Sequence, residues 1–189
     1  MLYKKYQFPL NIFIVFEKLN PVIYTSKSLT PNHYVCYITN KWYYGINIFL
    51  KKELLINSNF LTDMSAIDTL SFEKNILNIE IFNNKNRFIT YNTYYLYLCK
   101  IRLSLFQNIN KNIQSIDSIY PNASWLERET FEMYNIQFLN KKDNRSLLLD
   151  YSRNEFPMLK DFPTEGYYEI YFDFFENKVN YIKNEFIEL

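Results

Sequence analysis

A chain of 189 residues with 48% hydrophobic residues, 18 Tyr and 17 Phe has the material for one buried core and too much aromatic content for a disordered protein. Its 21 basic residues against 20 acidic ones leave a net charge of +1, which lacks the clustered basic excess of a nucleic-acid binder. Two cysteines, Cys36 and Cys99, and the single histidine His33 exclude a disulfide scaffold, a four-cysteine iron–sulfur cluster and a multi-His zinc site.

At the N-terminus an apolar run from Phe8 to Phe16 is broken by Pro9 and Asn11. A bilayer span needs about 20 apolar residues, so this run is too short to be one. It also lacks the small-residue cleavage site of a signal peptide. Leu10, Phe13, Ile14 and Phe16 predict a short helix over Pro9 to Leu19. The first arginine is Arg87, whereas imported mitochondrial precursors begin Arg-rich, and Asn, Ile, Lys, Phe and Tyr are residues of AT-rich codons. A version working in an organelle is therefore expected to be made there.

Tyr34 to Thr39 and Trp42 to Leu50, rich in β-branched and aromatic residues, are predicted strands. The second has the alternative of a helix entry, because Lys51 to Ile56 is a fair helix former. Phe60 to Asp68 is a further strand. Ile76 to Phe82 alternates, Asn83-Asn84-Lys85-Asn86 turns, and Phe88 to Leu98 and Lys100 to Phe106 continue an antiparallel meander. Gln107 to Gln114 is expected as polar loop. The lysine pairs Lys4-Lys5, Lys51-Lys52 and Lys141-Lys142 are expected on solvated faces.

A helix is predicted to start after Pro121, with Ser124 and Glu127 as a capping box. Trp125, Arg128, Glu129, Glu132 and Ile136 recur along it at helical spacing. Beyond Asn140, Pro157, Pro163 and Gly166 point to an extended path. Tyr167 to Phe175 alternates again and ends in a short mixed-charge tail.

Catalytic patterns are missing. With Gly45 and Gly166 the only glycines, neither a dinucleotide fingerprint nor a P-loop can be written. His33 and Cys36, three apart on a strand, face opposite sides and make no dyad. Arg128 among Glu127, Glu129 and Glu132 points to an ion-pair network and not to acid–base work.

The segment Trp125-Leu126-Glu127-Arg128-Glu129-Thr130-Phe131-Glu132-Met133-Tyr134-Asn135-Ile136-Gln137-Phe138 is similar to the signature helix of one family. So is Lys160-Asp161-Phe162-Pro163-Thr164-Glu165-Gly166-Tyr167, with Asp143, Arg145, Leu147, Leu148 and Asp150 between them. Upstream, Leu61 to Asp68 looks like that family's strand ending in Asp. The family is the peripheral-arm subunit of respiratory NADH:ubiquinone oxidoreductase (complex I), called subunit 9 in mitochondria and with a counterpart in bacteria. The departures are Glu132 for Asp, Asn135 for Gly, Lys141-Lys142 for His-Pro, Asn144 and Ser146 within a Leu-Arg-Arg run, and Glu155 and Leu159 for Gly and Arg.

The resemblance implies an α+β fold: a mixed, largely antiparallel sheet flanked by helices, with an extended C-terminal arm. It divides the chain into a scaffold domain over 1–150 and a docking arm over 151–189 that lies along the large quinone-module subunit. It implies partner-binding or structural roles for Trp125, Glu127, Arg128, Glu129, Arg145, Lys160, Asp161, Phe162, Pro163 and Gly166. Glu127, Arg128 and Glu129 would make charge-assisted bonds, and Lys160 and Asp161 would anchor the arm. It implies no catalytic, cofactor or metal residues here, with flavin and iron–sulfur clusters in partner subunits. The expected place is the matrix side of the mitochondrial inner membrane, with no span and no nucleic acid. The alternatives are a single-stranded nucleic-acid module with aromatic stacking platforms, and a small hydrolase using clustered carboxylates, which the shortage of glycine and histidine disfavours.

Overall fold

The computed structural model describes residues 23–30, 32–53, 58–70, 86–98, 100–151 and 155–185, the first of these as backbone alone. The predicted helix over Pro9–Leu19, the strand Ile76–Phe82 and most of the turn after it lie outside the described residues, as does Cys99.

Five strands form the central sheet: β1 (Ile23–Thr30), β2 (His33–Ile38), β3 (Phe60–Asp68), β4 (Phe88–Leu96) and β5 (Ile101–Ile109). Their order is β1-β2-β5-β4-β3. β2 runs parallel to β5, and every other pairing is antiparallel. The sheet is mixed and largely antiparallel, and strands form at Phe60–Asp68, Phe88–Leu96 and Ile101–Ile109. The antiparallel neighbour of β4 before it is β3, however, and Ile76–Phe82, the first strand of the expected meander, lies outside the described residues.

One face carries the core. Tyr94 lies opposite Leu103 and Asn92 opposite Leu105, and all four are buried. Over this face packs helix α1 (Tyr43–Lys52), entered through a 3-10 turn at Asn40–Trp42. The predicted strand over Trp42–Leu50 is thus a helix. Tyr43, Ile46, Asn47 and Leu50 are its buried residues, and their three-and-four spacing outweighs the β-propensity of the aromatics. The core also encloses a polar network. Asn92 Nδ2 donates to the Tyr43 hydroxyl (2.6 Å) and the Tyr94 hydroxyl (3.0 Å), Tyr94 donates to Asn47 Oδ1, and Asn47 Nδ2 returns to the Tyr43 carbonyl (2.8 Å). Bonds of this kind remove much of the cost of burying the amides.

The expected polar loop over Gln107–Gln114 is structured at both ends. β5 continues to Ile109, paired with Phe88, and β6 (Asn112–Gln114) runs parallel to β7 (Gln137–Leu139). Gln107, Ile109 and Ile113 are buried, so alternation continues under a polar composition.

Helix α2 (Ala123–Tyr134) packs against β3. Its capping box does not form. Asn122, not Ser124, precedes the helix, is itself right-handed helical (φ −70°, ψ −19°) and gives no side-chain cap. Its Nδ2 donates to the Leu61 carbonyl instead (2.6 Å), tying the helix start to the sheet edge. The helix ends at Asn135 in the left-handed region (φ 57°, ψ 36°), with its N–H on the Phe131 carbonyl (2.8 Å). Asparagine tolerates that backbone better than most side chains, which accounts for Asn where the family has Gly.

Between β7 and Tyr168 no described residue belongs to a helix or strand. The chain then closes as a hairpin, β8 (Tyr168–Asp173) with β9 (Lys178–Lys183). The expected mixed-charge tail is therefore half of a hairpin, paired in register with the alternating segment before it.

Candidate functional site

Glu127, Arg128 and Glu132 of α2 each reach the segment that follows β7. Glu127, fully buried, accepts from Ser115 Oγ (2.7 Å), the Ile116 N–H (2.7 Å) and Lys141 Nζ (2.9 Å). Lys141 also donates to the Ser124 carbonyl (2.9 Å), and its side chain is 2% exposed. The expected solvated face at Lys141 is wrong, because a carboxylate this enclosed needs a cation beside it. Lys51 is likewise engaged, donating to the Ile119 carbonyl with its ammonium over the Tyr120 ring.

Arg128 is not the shared partner of its neighbouring glutamates. Its Nε donates to the Arg145 carbonyl (2.7 Å) and Nη2 to the Ser146 carbonyl (2.9 Å). Nη1 lies 3.7 Å from Asp143, and the guanidinium stacks on Trp125 at 5.2 Å. Glu129 is exposed and, among the described residues, forms no salt bridge. One turn further on, Glu132 accepts the backbone N–H groups of Leu147, Leu148 (2.7 Å) and Leu149 (3.3 Å). Residues 141–149 are thus strapped to the helix, mostly through main-chain atoms. Asn144 and Ser146, which interrupt the family's Leu-Arg-Arg run, therefore leave these contacts intact. Arg145 points away, largely exposed, and binds Asp143 within its own loop (2.8 and 2.9 Å), which holds the Asp143 carboxyl far below the usual range.

A second anchor lies at the ends of β3 and β4. Asp68, its side chain fully shielded, forms a two-pronged pair with Arg87, and Arg87 also holds Asp161. Lys160 contributes its backbone N–H, on Asp68 Oδ2 at 3.0 Å, and not its exposed ammonium. Leu159 packs against the core, and Phe156 meets Phe131 edge-on. Phe162 is half-buried and edge-on to Tyr167, while Pro163 and Gly166 (φ 72°) close a turn through a 3.0 Å bond. Arg87 and Asp68 were missed as site residues. The Asp at the end of an alternating strand was visible, but its partner lies 19 positions on.

Past this turn the hairpin is exposed on both sides. Strand register puts Tyr168, Ile170, Phe172, Val179 and Tyr181 on one face, with Lys183 at its edge. The opposite face is more polar, with Glu169, Asp173, Lys178 and Asn180 beside Tyr171 and Ile182. Phe174 and Phe175 project from the turn, 86% and 101% exposed. Trp125 (60% exposed), Leu148 and Tyr151 add apolar surface beside the strap.

His33 and Cys36 form no dyad. Cys36 is fully buried in the core, and burial pushes its thiol far up. His33 instead meets Ser104 Oγ (2.8 Å), its pKa lowered by burial and by Arg102. Among the described residues no group of three or more His, Cys, Asp or Glu could hold a metal ion, and no helix is long and apolar enough to cross a membrane.

Residues 37–168 match the sequence model of a family described as respiratory-chain NADH dehydrogenase, 30 Kd subunit. The chain is similar to NADH-ubiquinone oxidoreductase subunit 9 of Paramecium primaurelia, 34% identical over 185 residues, which are 98% of this chain and 88% of that protein. It is 32% identical over 141 residues to a NADH-quinone oxidoreductase subunit of the bacterium Cereibacter sphaeroides, covering 72% and 64% of the two chains. In fold it resembles a trypsin-resistant fragment of Nqo5 (TM-score 0.58, 14% identity, 71% of this chain and 99% of that one). It also resembles a chain of an archaeal membrane-bound sulfane sulfur reductase (TM-score 0.63, 15% identity, 82% and 86%). The nucleic-acid alternative finds no support in these relatives.

Proposed function

The chain belongs to the 30 kDa subunit family of respiratory-chain NADH dehydrogenase, and from that membership we propose that it is a cofactor-free scaffold in the peripheral arm of that enzyme. Its work is to hold neighbouring subunits in place while they carry electrons from NADH to ubiquinone, with flavin and iron–sulfur clusters residing in those neighbours. We place it on the matrix face of the mitochondrial inner membrane, encoded in the organelle, with the large quinone-module subunit as its chief partner.

The observation that carries this reading is the hairpin. A lone two-stranded sheet is marginal in water, yet this one exposes Tyr168, Ile170, Phe172, Val179, Tyr181, Phe174 and Phe175. Each such side chain contributes about 1.5–3 kcal/mol when fully buried, and aromatic-rich apolar surface is characteristic of interface cores. The docking element in this proposal is the hairpin and the turn before it. Residues 155–161, which the family resemblance assigns to the arm, are bonded and packed against the domain.

The test is to purify the tagged full-length chain from gently solubilised native membranes. Stoichiometric recovery of the other NADH dehydrogenase subunits is expected. Recovery of the chain alone, or with nucleic acid, would refute the proposal.

A further inference from the structure

Arg87 faces two ways. Its carbonyl accepts the Thr69 N–H (3.0 Å) and the Thr69 hydroxyl (2.7 Å), continuing the β3–β4 pairing. Its guanidinium holds both oxygens of two carboxylates. Nε and Nη2 bind Asp68 at 2.8 and 2.5 Å, and Nη1 and Nη2 bind Asp161 at 3.2 and 2.5 Å. Asp68 further accepts the N–H of Leu70 (3.1 Å) and of Lys160 (3.0 Å). A planar guanidinium grips carboxylates in fixed directions, which an ammonium would not. Asp161, its side chain 55% exposed, is the outer jaw of this clasp.

The chain beyond the clasp is stiff. Pro163 fixes its own φ, the Gly166 N–H closes a turn on the Pro163 carbonyl (3.0 Å), and the Phe162 and Tyr167 rings meet edge-on at 5.2 Å. At the far end, Asn184 Nδ2 donates to the carbonyls of Glu165 (2.9 Å) and Gly166 (3.1 Å), and its N–H to the Tyr167 carbonyl (3.0 Å), so the base of the hairpin is tied to the same turn. An orientation set at Asp161 is therefore carried to the hairpin.

We infer that Arg87 and Asp68 are positioning residues for docking: the clasp fixes where the arm leaves the sheet, so the apolar face of the hairpin meets the neighbouring subunit already oriented. This rests on the proposed docking role of the hairpin. A segment ordered before binding loses less freedom on association, and affinity rises accordingly.

The full-length chain and three variants, Asp161→Glu, Asp161→Asn and Arg87→Gln, decide it. Amide hydrogen exchange over residues 156–167 reads the clasp, and rebinding to solubilised NADH dehydrogenase depleted of this chain reads docking. Asp161→Asn removes only the exposed pair, so its melting temperature should stay at the wild-type value. Its exchange should quicken and its affinity fall together, each by about twofold to fivefold, the range of an exposed ion pair. Asp161→Glu should recover most of both, and Arg87→Gln should exceed Asp161→Asn in both. Faster exchange with unchanged affinity overturns the inference. So does weaker affinity with unchanged exchange, which would make Asp161 a direct contact. A wild-type chain that fails to rebind would overturn the docking role itself, an outcome distinct from any ordering among the variants.

Discussion

Lys141 and Glu127 form an ion pair with both side chains at 2% exposure or less, in a chain whose other described pairs reach solvent. Removing one partner of such a pair leaves an uncompensated charge. Lys141→Met should therefore destabilise the protein by about 3–5 kcal/mol, measured by urea unfolding, whereas Arg145→Ala, at an exposed pair, should leave the unfolding midpoint unchanged. Acid acts on the clasp. Burial would raise the Asp68 carboxyl, but the bonds from Arg87 and from the Lys160 and Leu70 N–H groups outweigh it, and its pKa lies below the usual value. Arg87 lowers Asp161 in the same way. A carboxylate with a depressed folded pKa adds stability above its unfolded pKa of about 3.9, and that stability is lost as pH falls. Exchange protection over residues 156–161 should thus be constant from pH 7 to about 5 and decline below about 4. Protection that fades between pH 7 and 6 would point to another titrating group. Glu127 and Arg128 were legible as candidates from charge pattern, and Trp125 and Asp161 from the family resemblance. Their partners were not, because Lys141, the carbonyls of Arg145 and Ser146, and Arg87 come together only when the chain folds back.

At the level of elements, β-branched and aromatic content located β2, and the strands expected at Phe60–Asp68, Phe88–Leu98 and Lys100–Phe106 became β3, β4 and β5, one face of each packing into the core. That same content misled at α1, where aromatic and β-branched residues mimic a strand while the buried positions follow a helical period. The capping-box expectation failed at the start of α2, where a Ser and a Glu three apart imitate a cap but the Glu serves Ser115 and Lys141. The end of α2 gives a direct test. Asn135 holds a left-handed backbone, so Asn135→Gly should keep or slightly raise the melting temperature. Asn135→Val should cost about 1–2 kcal/mol, the penalty of that conformation for an ordinary side chain. Equal destabilisation by both would mean that the Asn side chain, and not its backbone, matters there.

For the whole molecule, the core leaves many of the chain's aromatic side chains exposed, and the hairpin with its turn carries Tyr168, Tyr171, Phe172, Phe174, Phe175 and Tyr181 among them. Its strand partner was not legible, since Lys178 to Lys183 mixes Lys, Asn and Tyr with two aliphatics and acquires a face only by pairing with β8. The domain and the docking element should separate in truncations. A chain ending at Thr164 keeps the clasp and should unfold cooperatively with near wild-type stability while losing association. One ending at Asn154 also loses Phe156, Leu159 and Asp161, and should be markedly less stable by thermal unfolding. If both truncations melt alike, residues 155–163 are not fastened as described. The most direct measurement of the scaffold role compares two quantities in cells whose only copy carries Phe172→Ser and Phe174→Ser. They are the abundance of assembled NADH dehydrogenase on native gels and the NADH-to-ubiquinone turnover per assembled enzyme. The account predicts that abundance falls severalfold while turnover per assembled enzyme stays at the wild-type value; normal abundance with lost turnover would contradict it.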